Sequence, residues 1–361
     1  MEQAVRKVEE FILDGSFHQL ATANVDFLVN AATNPEYKEI LFGCDLVLAD
    51  GMPLIVASHL LGHALAERVT GSDLVPRLAA LSRDKGYGIF LLGARPEVSQ
   101  SAAVRLESMG ARIVGRLSPP VRPLAELDDK EILTAIERAN PDILLVAFGS
   151  PKQELWIDRN RYRLKVPVCI GIGAGLDFVS GEVPRAPRWM QRTCLEWLYR
   201  LCLEPRRLAP RYLKDALCLA RYFGVQLAFN FSKPPCEREM HTEIVPFGST
   251  TVLVVSGTMT GPQLARFERA ALSATDRSEL LVLDMEQVEG LGADGIRVLA
   301  RLYGTARKRN CRFQLVGLGP ALVRNLRASR CEELAGLSGT RAGRLLQSWP
   351  QPRSERRRQF A

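Results

Sequence analysis

The first two hundred residues alternate two hydrophobic periods. Uninterrupted apolar runs, DLVLAD (45–50), YGIFLLG (87–93), ARIVGRL (111–117), DILLVAFG (142–149) and VPVCIGIG (166–173), are separated by segments at 73–85, 96–109, 129–139 and 152–163 that are long enough for crossover helices. A short run without polar alternation marks a strand buried on both faces, and a strand followed by a crossover helix returns parallel to its predecessor. The pattern predicts an α/β fold, a Rossmann-like doubly wound parallel sheet in which ligands sit beyond the carboxyl ends of the strands. After Gly181 the pattern changes, and Trp, Tyr, Leu and Arg interleave at helical spacing through VPRAPRWMQRTCLEWLYRLCLEPRRLAPRYLKDALCLARYFGVQLAFNF, which predicts two amphipathic helices broken near Glu204–Pro205.

The stretch SKPPCEREMHTE (232–243) has two prolines and no apolar period, so it reads as a linker. A second, smaller α/β pattern follows, with strands expected at 251–257, 279–285 and 312–318 and helices near 261–275, 294–308 and 319–328. The closing PQPRSERRRQFA is basic and aperiodic, the composition of a disordered tail. The expected domains are an α/β core (1–184), a basic helical appendage (185–231), the linker (232–243), a small α/β domain (244–345) and the tail (346–361).

Composition adds three constraints. A chain of 361 residues exceeds the size at which one hydrophobic core keeps growing, in agreement with two domains. No stretch approaches the ~18 to 20 apolar residues of a spanning helix, and MEQAVRKVEEFILDG carries charges where a secretory signal needs an apolar run, so a cytoplasmic location is expected. The eight cysteines show no Cys-x-x-Cys spacing and read as small buried apolar residues. The net charge of +8 is concentrated: Arg185–Arg221 holds nine basic residues against three acids.

Candidate chemistry follows the strand ends. Asp50 follows LVLA and precedes Gly51, which allows a sharp turn at the ligand-binding edge of the sheet. A carboxylate shielded from water there suits a general base that takes a hydroxyl proton; the alternative is a cap on the helix opening at Met52–Pro53. Thr22 and Asn24, in LATANVDFLV, stand after a first strand where they can bond a sugar or diphosphate near Asp50, or cap a helix. In ERVTGSDL (67–74), Arg68 suits a phosphate, and Asp73 belongs either to the same binding loop or to an ordinary turn and N-cap. In AFGSPKQELW (147–156), Gly149-Ser150-Pro151 opens a helix whose first N–H groups can face an anion, with Gln153 and Glu154 projecting into the crevice.

Other motifs are excluded. GIGAGLDFVSG (171–181) has the wrong glycine spacing for a dinucleotide fingerprint, and His59 and His63 lack the glutamate of the zinc-protease motif. No Asp-x-Asp pair at a strand end offers to hold a divalent ion, so no metal or cofactor is expected and arginines are left to neutralise a diphosphate. The basic segment admits three readings: a surface lying on anionic lipid with Trp189, Trp197 and Tyr199 at headgroup level, a lid whose arginines, Arg207 and Arg211 among them, grip the diphosphate, or plain helix packing with a solvated face. No nucleic-acid module accompanies it.

The segments TANVDFLVNAATNPEY, DLVLADGMPL, ERVTGSDL, AFGSPKQE, GIGAGLDFVSG and RAPRWMQRTCLEWLYRLCLEPRRL, in this order over about residues 5 to 225, resemble the TagA/WecG/CpsF glycosyltransferases. The resemblance implies transfer of an N-acetylhexosamine, its uronic acid or glucose from a UDP-sugar to a polyprenyl-diphosphate-linked glycan acceptor, with inversion and without an obligatory metal. It implies Asp50 as the base, Thr22 and Asn24 in the pocket with it, Arg68 and Gln153 on the donor, an arginine-rich segment closing the site at the anionic inner face of the membrane, and self-association. Cys194 stands where the family pattern has glycine. The C-terminal part resembles a STAS domain through ELLVLDMEQVEGLGADGIRVLARL, with Ala293-Asp294-Gly295 where such regulators often carry a phosphorylatable serine. Asp294 then either mimics a phosphoserine or caps a helix, and the domain is expected to bind a protein partner. The competing reading is a catalytically silent, membrane-associated platform governed by the STAS-like domain.

Overall fold

The apolar runs of the first half become one parallel sheet in the computed structural model, which describes residues 1–61, 64–187, 189–190, 195–231, 238–329 and 331–335. Its strands are β1 (His18–Ala23), β2 (Leu46–Ala49), β3 (Gly88–Gly93), β4 (Arg112–Leu117), β5 (Ile143–Ala147) and β6 (Val168–Gly171), in the order β2-β1-β6-β5-β3-β4. They alternate with helices α1 (Glu2–Asp14), α2 (Val25–Thr33), α3 (Pro35–Gly43), α4 (Met52–Leu60), α5 (Gly71–Lys85), α6 (Pro96–Ser108), α7 (Asp129–Ala139), α8 (Lys152–Arg159) and α9 (Gly175–Ser180).

Successive strand residues serve opposite faces, and both faces are covered. Ile89 and Leu91, Ile143 and Leu145, and Val168 and Ile170 pack with Val8, Leu74, Leu78, Val98, Leu106 and Leu176 from α1, α5, α6 and α9. Phe90, Leu92, Leu144, Val146 and Cys169 pack with Ile132, Ile136, Trp156 and Ile157 from α7 and α8. Two-sided burial is why these strands read as unbroken apolar runs. The first strand pairs with the second on one side and with the last on the other. The chain leaving β1 goes to α2 and α3, where Phe27 and Tyr37 pack with Leu155 of α8, whereas the chain leaving β6 goes to α9 on the opposite face. These diverging connections open a crevice beyond the carboxyl ends of β1, β2 and β6.

The basic segment folds as α10 (Glu196–Leu203) and α11 (Pro205–Phe231), with the break at the expected Glu204–Pro205. Cys194 and Cys236 lie outside the described residues. Cys169, Cys311 and Cys331 are buried and Cys202 is exposed. Among the described residues no helix is long and apolar enough to cross a membrane.

The chain divides into compact units Met1–Gly224 and Val225–Ala361. The second holds a four-stranded sheet, β10-β9-β8-β7, from β7 (His241–Phe247), β8 (Thr250–Met259), β9 (Leu280–Leu291) and β10 (Arg312–Val316), with helices α12 (Gln263–Thr275), α13 (Ala293–Lys308) and α14 (Pro320–Ala328). Burial alternates along β8 and β9, the signature of a sheet covered on one face, where Leu253, Leu281 and Leu283 are fully buried. The antiparallel edge strand β7 takes up positions 241–243, which the sequence placed in the linker. All seven of its residues are exposed, so no alternation of buried and polar positions announces it. Residues 232–237 of that linker and the tail from 346 lie outside the described residues.

Leu145 is fully buried in β5, which pairs with β3 on one side and β6 on the other. Leu145→Ala is expected to lower the unfolding free energy of the first unit by about 2 to 5 kcal/mol, read by denaturant titration; a loss below about 1 kcal/mol would show that the central strand does not anchor this core.

Candidate active site

A cavity of about 550 Å³ fills the crevice and is roofed by α10 and α11. That volume suits a small-molecule ligand. Asp50 lines it, directly after β2, with its backbone N–H bonded to Ala23 O at 2.8 Å. The helix that follows is capped by Gly51 without a side-chain bond, so Asp50 does not serve as its cap. Its Oδ2 instead lies 3.5 Å from the Gly71 N–H at the start of α5. Burial pushes the Asp50 carboxyl up to about 6, Glu196 adds to the rise, and the Gly71 N–H, Arg68 and Arg200 oppose it.

The floor is built from short bonds across the strand ends. Thr22 is the fifth residue of β1 rather than a residue after it, and its hydroxyl donates to Gly171 O at 3.0 Å. Asn24 caps α2, its Oδ1 accepting from the Asp26 N–H at 3.0 Å, and also lines the cavity. Gln153 lines the cavity too, yet both ends of its amide are engaged: Oε1 accepts from the Gly173 N–H at 3.0 Å and Nε2 donates to Glu154 Oε1 at 2.6 Å. Gly149, in the left-handed region at φ 78°, lets the chain turn from β5 into α8.

Glu154 does not reach the cavity. It is fully buried behind Gln153, where the Tyr37 hydroxyl donates to its Oε2 at 3.3 Å and bonds Ser150 Oγ at 2.8 Å. Burial pushes the Glu154 carboxyl up to about 7 against the hydrogen bonds of Gln153, Ser150 and Tyr37. The glutamate expected in the crevice thus supports Gln153 from below, because consecutive helical residues point about 100° apart. Asp73 also stays out of the lining: it accepts from Thr70 Oγ1 at 2.8 Å and pairs with Arg185 at 2.5 Å, in the capping pattern of Thr70-Gly71-Ser72-Asp73.

The roof joins Arg68 to residues of α10 and α11. Arg68 lines the cavity and pairs with Glu196 at 3.3 Å, and Glu196 also meets Arg185 Nε at 3.5 Å. Arg200 stacks over Phe178 at 5.1 Å with both residues in the lining. Trp197, Arg211, Tyr212 and Asp215 complete this wall, with Trp197 and Tyr212 in edge contact at 6.1 Å. Arg207 belongs to α11, and its side chain lies outside the described residues. Arg68, Arg207 and Arg211 are candidates from the sequence, as is Trp197 at headgroup level; Glu196, Arg200, Tyr212 and Asp215 are not singled out there, and the interleaving of Trp, Tyr and Arg at helical spacing is the available signal for them. His63 lies outside the described residues, and among those described no group of three or more His, Cys, Asp or Glu gathers to hold a metal ion.

Residues 1–231 match the family described as glycosyl transferase WecG/TagA/CpsF, and residues 247–337 match the Mlab, STAS domain. The chain is 34% identical over 190 residues to an N-acetylglucosaminyldiphosphoundecaprenol N-acetyl-beta-D-mannosaminyltransferase of Bacillus subtilis, covering 52% of this chain and 72% of that protein. It is 30% identical over 210 residues to the protein of the same description in Staphylococcus aureus, covering 58% and 82%. Among solved structures, an anti-sigma factor antagonist from Mycobacterium paratuberculosis aligns with 30% of this chain and 95% of its own at 25% identity and a TM-score of 0.26.

A methyl group on Gly171 would stand 2.6 Å from both Gln153 Nε2 and Glu154 Oε1, inside contact distance of a buried, hydrogen-bonded pair. Gly171→Ala is therefore expected to cost about 1 to 3 kcal/mol of stability, seen as a lowered melting temperature. An unchanged melt would mean that the floor yields freely.

Proposed function

The chain belongs to the WecG/TagA/CpsF family of glycosyl transferases, and from that premise we propose that it transfers an N-acetylhexosamine, its uronic acid or glucose from UDP to a polyprenyl-diphosphate-linked glycan acceptor, with inversion, in exopolysaccharide, capsule or wall-polymer assembly. The observation that carries this reading is Asp50, a carboxylate of raised proton affinity in a cavity lined by arginines. The names of the Bacillus and Staphylococcus relatives, which join a mannosaminyl group to a diphosphoundecaprenol acceptor, support the acceptor class.

In this reading Asp50 takes the proton of the acceptor hydroxyl while that oxygen bonds to the anomeric carbon. The bond from that carbon to the diphosphate breaks on the opposite face, and UDP leaves. Negative charge grows on the leaving oxygen, and Arg68, Arg200 and Arg211 present cationic donors to it, so the proposed step requires no divalent ion. Thr22 commits its proton to Gly171 O, which leaves its oxygen to accept from a sugar hydroxyl.

The same reading places the enzyme on the inner face of the cell membrane. Leu213 and Leu217, one turn apart on α11, are 64% and 65% exposed, and Trp197 is 48% exposed, all within the basic segment 185–221. A basic amphipathic face of this kind suits an anionic bilayer surface. The STAS domain is proposed to recruit a protein partner, and self-association is a further proposal. Its Asp294 lies within the first turn of α13, whose cap is Gly292, and pairs with Arg297 at 3.2 Å.

Two experiments test the reading. Asp50→Asn is expected to lower transfer from UDP-sugars to a prenyl-diphosphate acceptor by at least ~100-fold with an unchanged melting temperature. Because the Asp50 carboxyl is raised to about 6, the wild-type base is protonated and idle below that pH and competent above it, so kcat/KM should fall through one ionisation as pH drops past about 6. Near-normal turnover by the variant would remove Asp50 from the chemistry. Leu213→Glu with Leu217→Glu is expected to weaken co-sedimentation with anionic vesicles by ~10-fold or more; equal recovery of both proteins would count against this face as the membrane contact.

A further inference from the structure

Arg211 and Asp215 stand one turn apart on α11, and both line the cavity. Asp215 is only 7% exposed, yet its Oδ1 has no hydrogen-bond partner, and the buried Nε of Arg211 has none either. Buried polar atoms are normally satisfied, so two unsatisfied ones in the wall of one cavity point to partners that arrive with a ligand. Asp26, in the first turn of α2, lines the same cavity and raises the proton affinity of Asp215, after burial the largest influence on it; Arg211 and Lys214 act in the opposite sense. The charges that act on Asp50 are different ones, namely Arg68, Glu196 and Arg200. The cavity therefore has two electrostatic neighbourhoods. The one around Asp50 presents Arg68 and Arg200 with Glu196, and the one around Asp215 presents two carboxylates, Asp215 and Asp26, with Arg211 and Lys214 as the cations acting on Asp215.

A carboxylate only accepts hydrogen bonds. Its natural partners in a sugar nucleotide or glycolipid are ring hydroxyls and acetamido N–H groups, and a ligand carboxylate brought against Asp215 and Asp26 would meet like charge in a place poor in water. We propose that Asp215, backed by Asp26, is a specificity-determining acceptor for the hydroxyl or acetamido N–H groups of an uncharged sugar ring, and that it turns away rings bearing a carboxylate. The inference rests on the transferase reading for the identity of its ligand and narrows the sugar at this wall to an N-acetylhexosamine or a neutral hexose. Donor and acceptor both carry such a ring, and the test separates them.

The experiment measures dissociation constants by calorimetry for the full chain and for Asp215→Asn, which keeps the volume and removes the charge. The ligands are UDP-N-acetylglucosamine, UDP-glucuronate, UDP alone and a short-chain prenyl-diphosphate-linked N-acetylglucosamine. The variant is expected to bind one of the two neutral-ring ligands ~10-fold more weakly and UDP alone as well as before. A loss on the UDP-sugar, with the gap to UDP-glucuronate narrowed, assigns the ring to the donor; a loss on the prenyl ligand assigns it to the acceptor. Asp26→Asn is expected to move the same constant in the same direction by a smaller factor, and it carries the test if Asp215→Asn does not fold. Unchanged constants for both neutral-ring ligands in a variant that melts like the wild type would overturn the proposal, as would an equal loss for UDP alone or a wild-type protein that binds none of the four. Turnover recorded on the same samples reports separately on the transferase reading: binding that depends on Asp215 without any transfer would sink that reading and leave this one standing.

Discussion

Keeping water from one carboxylate is the constraint on which the cavity depends. In bulk water an aspartate is a weak proton acceptor, and burial at the end of β2 is what lifts Asp50 to about 6. The lift has to be partial. Burial without opposing charge would leave the group protonated at neutral pH, and an unshielded arginine beside it would return it to the ordinary range. The structure balances the two with Glu196, which adds to the rise while pairing with Arg68 and Arg185. Glu196 belongs to α10, so the helical appendage takes part in setting the proton affinity of Asp50 and is not only a cover over it.

Beside Asp50, side chains of α8 fill the space at the end of β6. Thr22 reaches Gly171 O, and Gln153 spans from Glu154 to the Gly173 N–H. With Gln153 Nε2 and Glu154 Oε1 already at the place a Cβ would take, position 171 admits only glycine without rearrangement. Within GIGAGLDF, Gly171 therefore answers to packing against α8, whereas Gly173 stands in the left-handed region at φ 50°.

Legibility in the sequence followed burial. Strands β3 and β5 are covered on both faces and read as continuous apolar runs, whereas β7, exposed along its whole length, carries no such signal, and its first three residues fall in the expected linker. The same holds for the site. Asp50, Thr22 and Asn24 were found because they follow or end strands at the switch point of the sheet, a position that a linear pattern reveals. Glu154 and Asp73 are polar residues in the first turns of helices that border the cavity, yet they turn elsewhere, one toward Tyr37 and one toward Thr70 and Arg185. Arg200, Tyr212 and Asp215 reach the cavity from helices more than a hundred residues away from Asp50 along the chain, a proximity that tertiary packing creates and no local period encodes.

The long helix joins two surfaces that the proposed reaction needs side by side. Tyr212, Asp215, Ala216 and Leu219 recur at the spacing of one helical face and line the cavity, while Leu213 and Leu217 follow the adjacent stripe into solvent. A rigid helix fixes the angle between those stripes, so whatever orients the apolar stripe also orients the cavity wall. For an acceptor whose lipid tail stays in a bilayer, the proposed membrane contact would bring the sugar end in beside this helix, whose cavity wall carries Arg211 and Asp215. Affinity for the membrane and selection of the sugar would then be properties of neighbouring faces of one element, which is why its alternating charge and aromatic pattern looked ambiguous when it was read as a single surface.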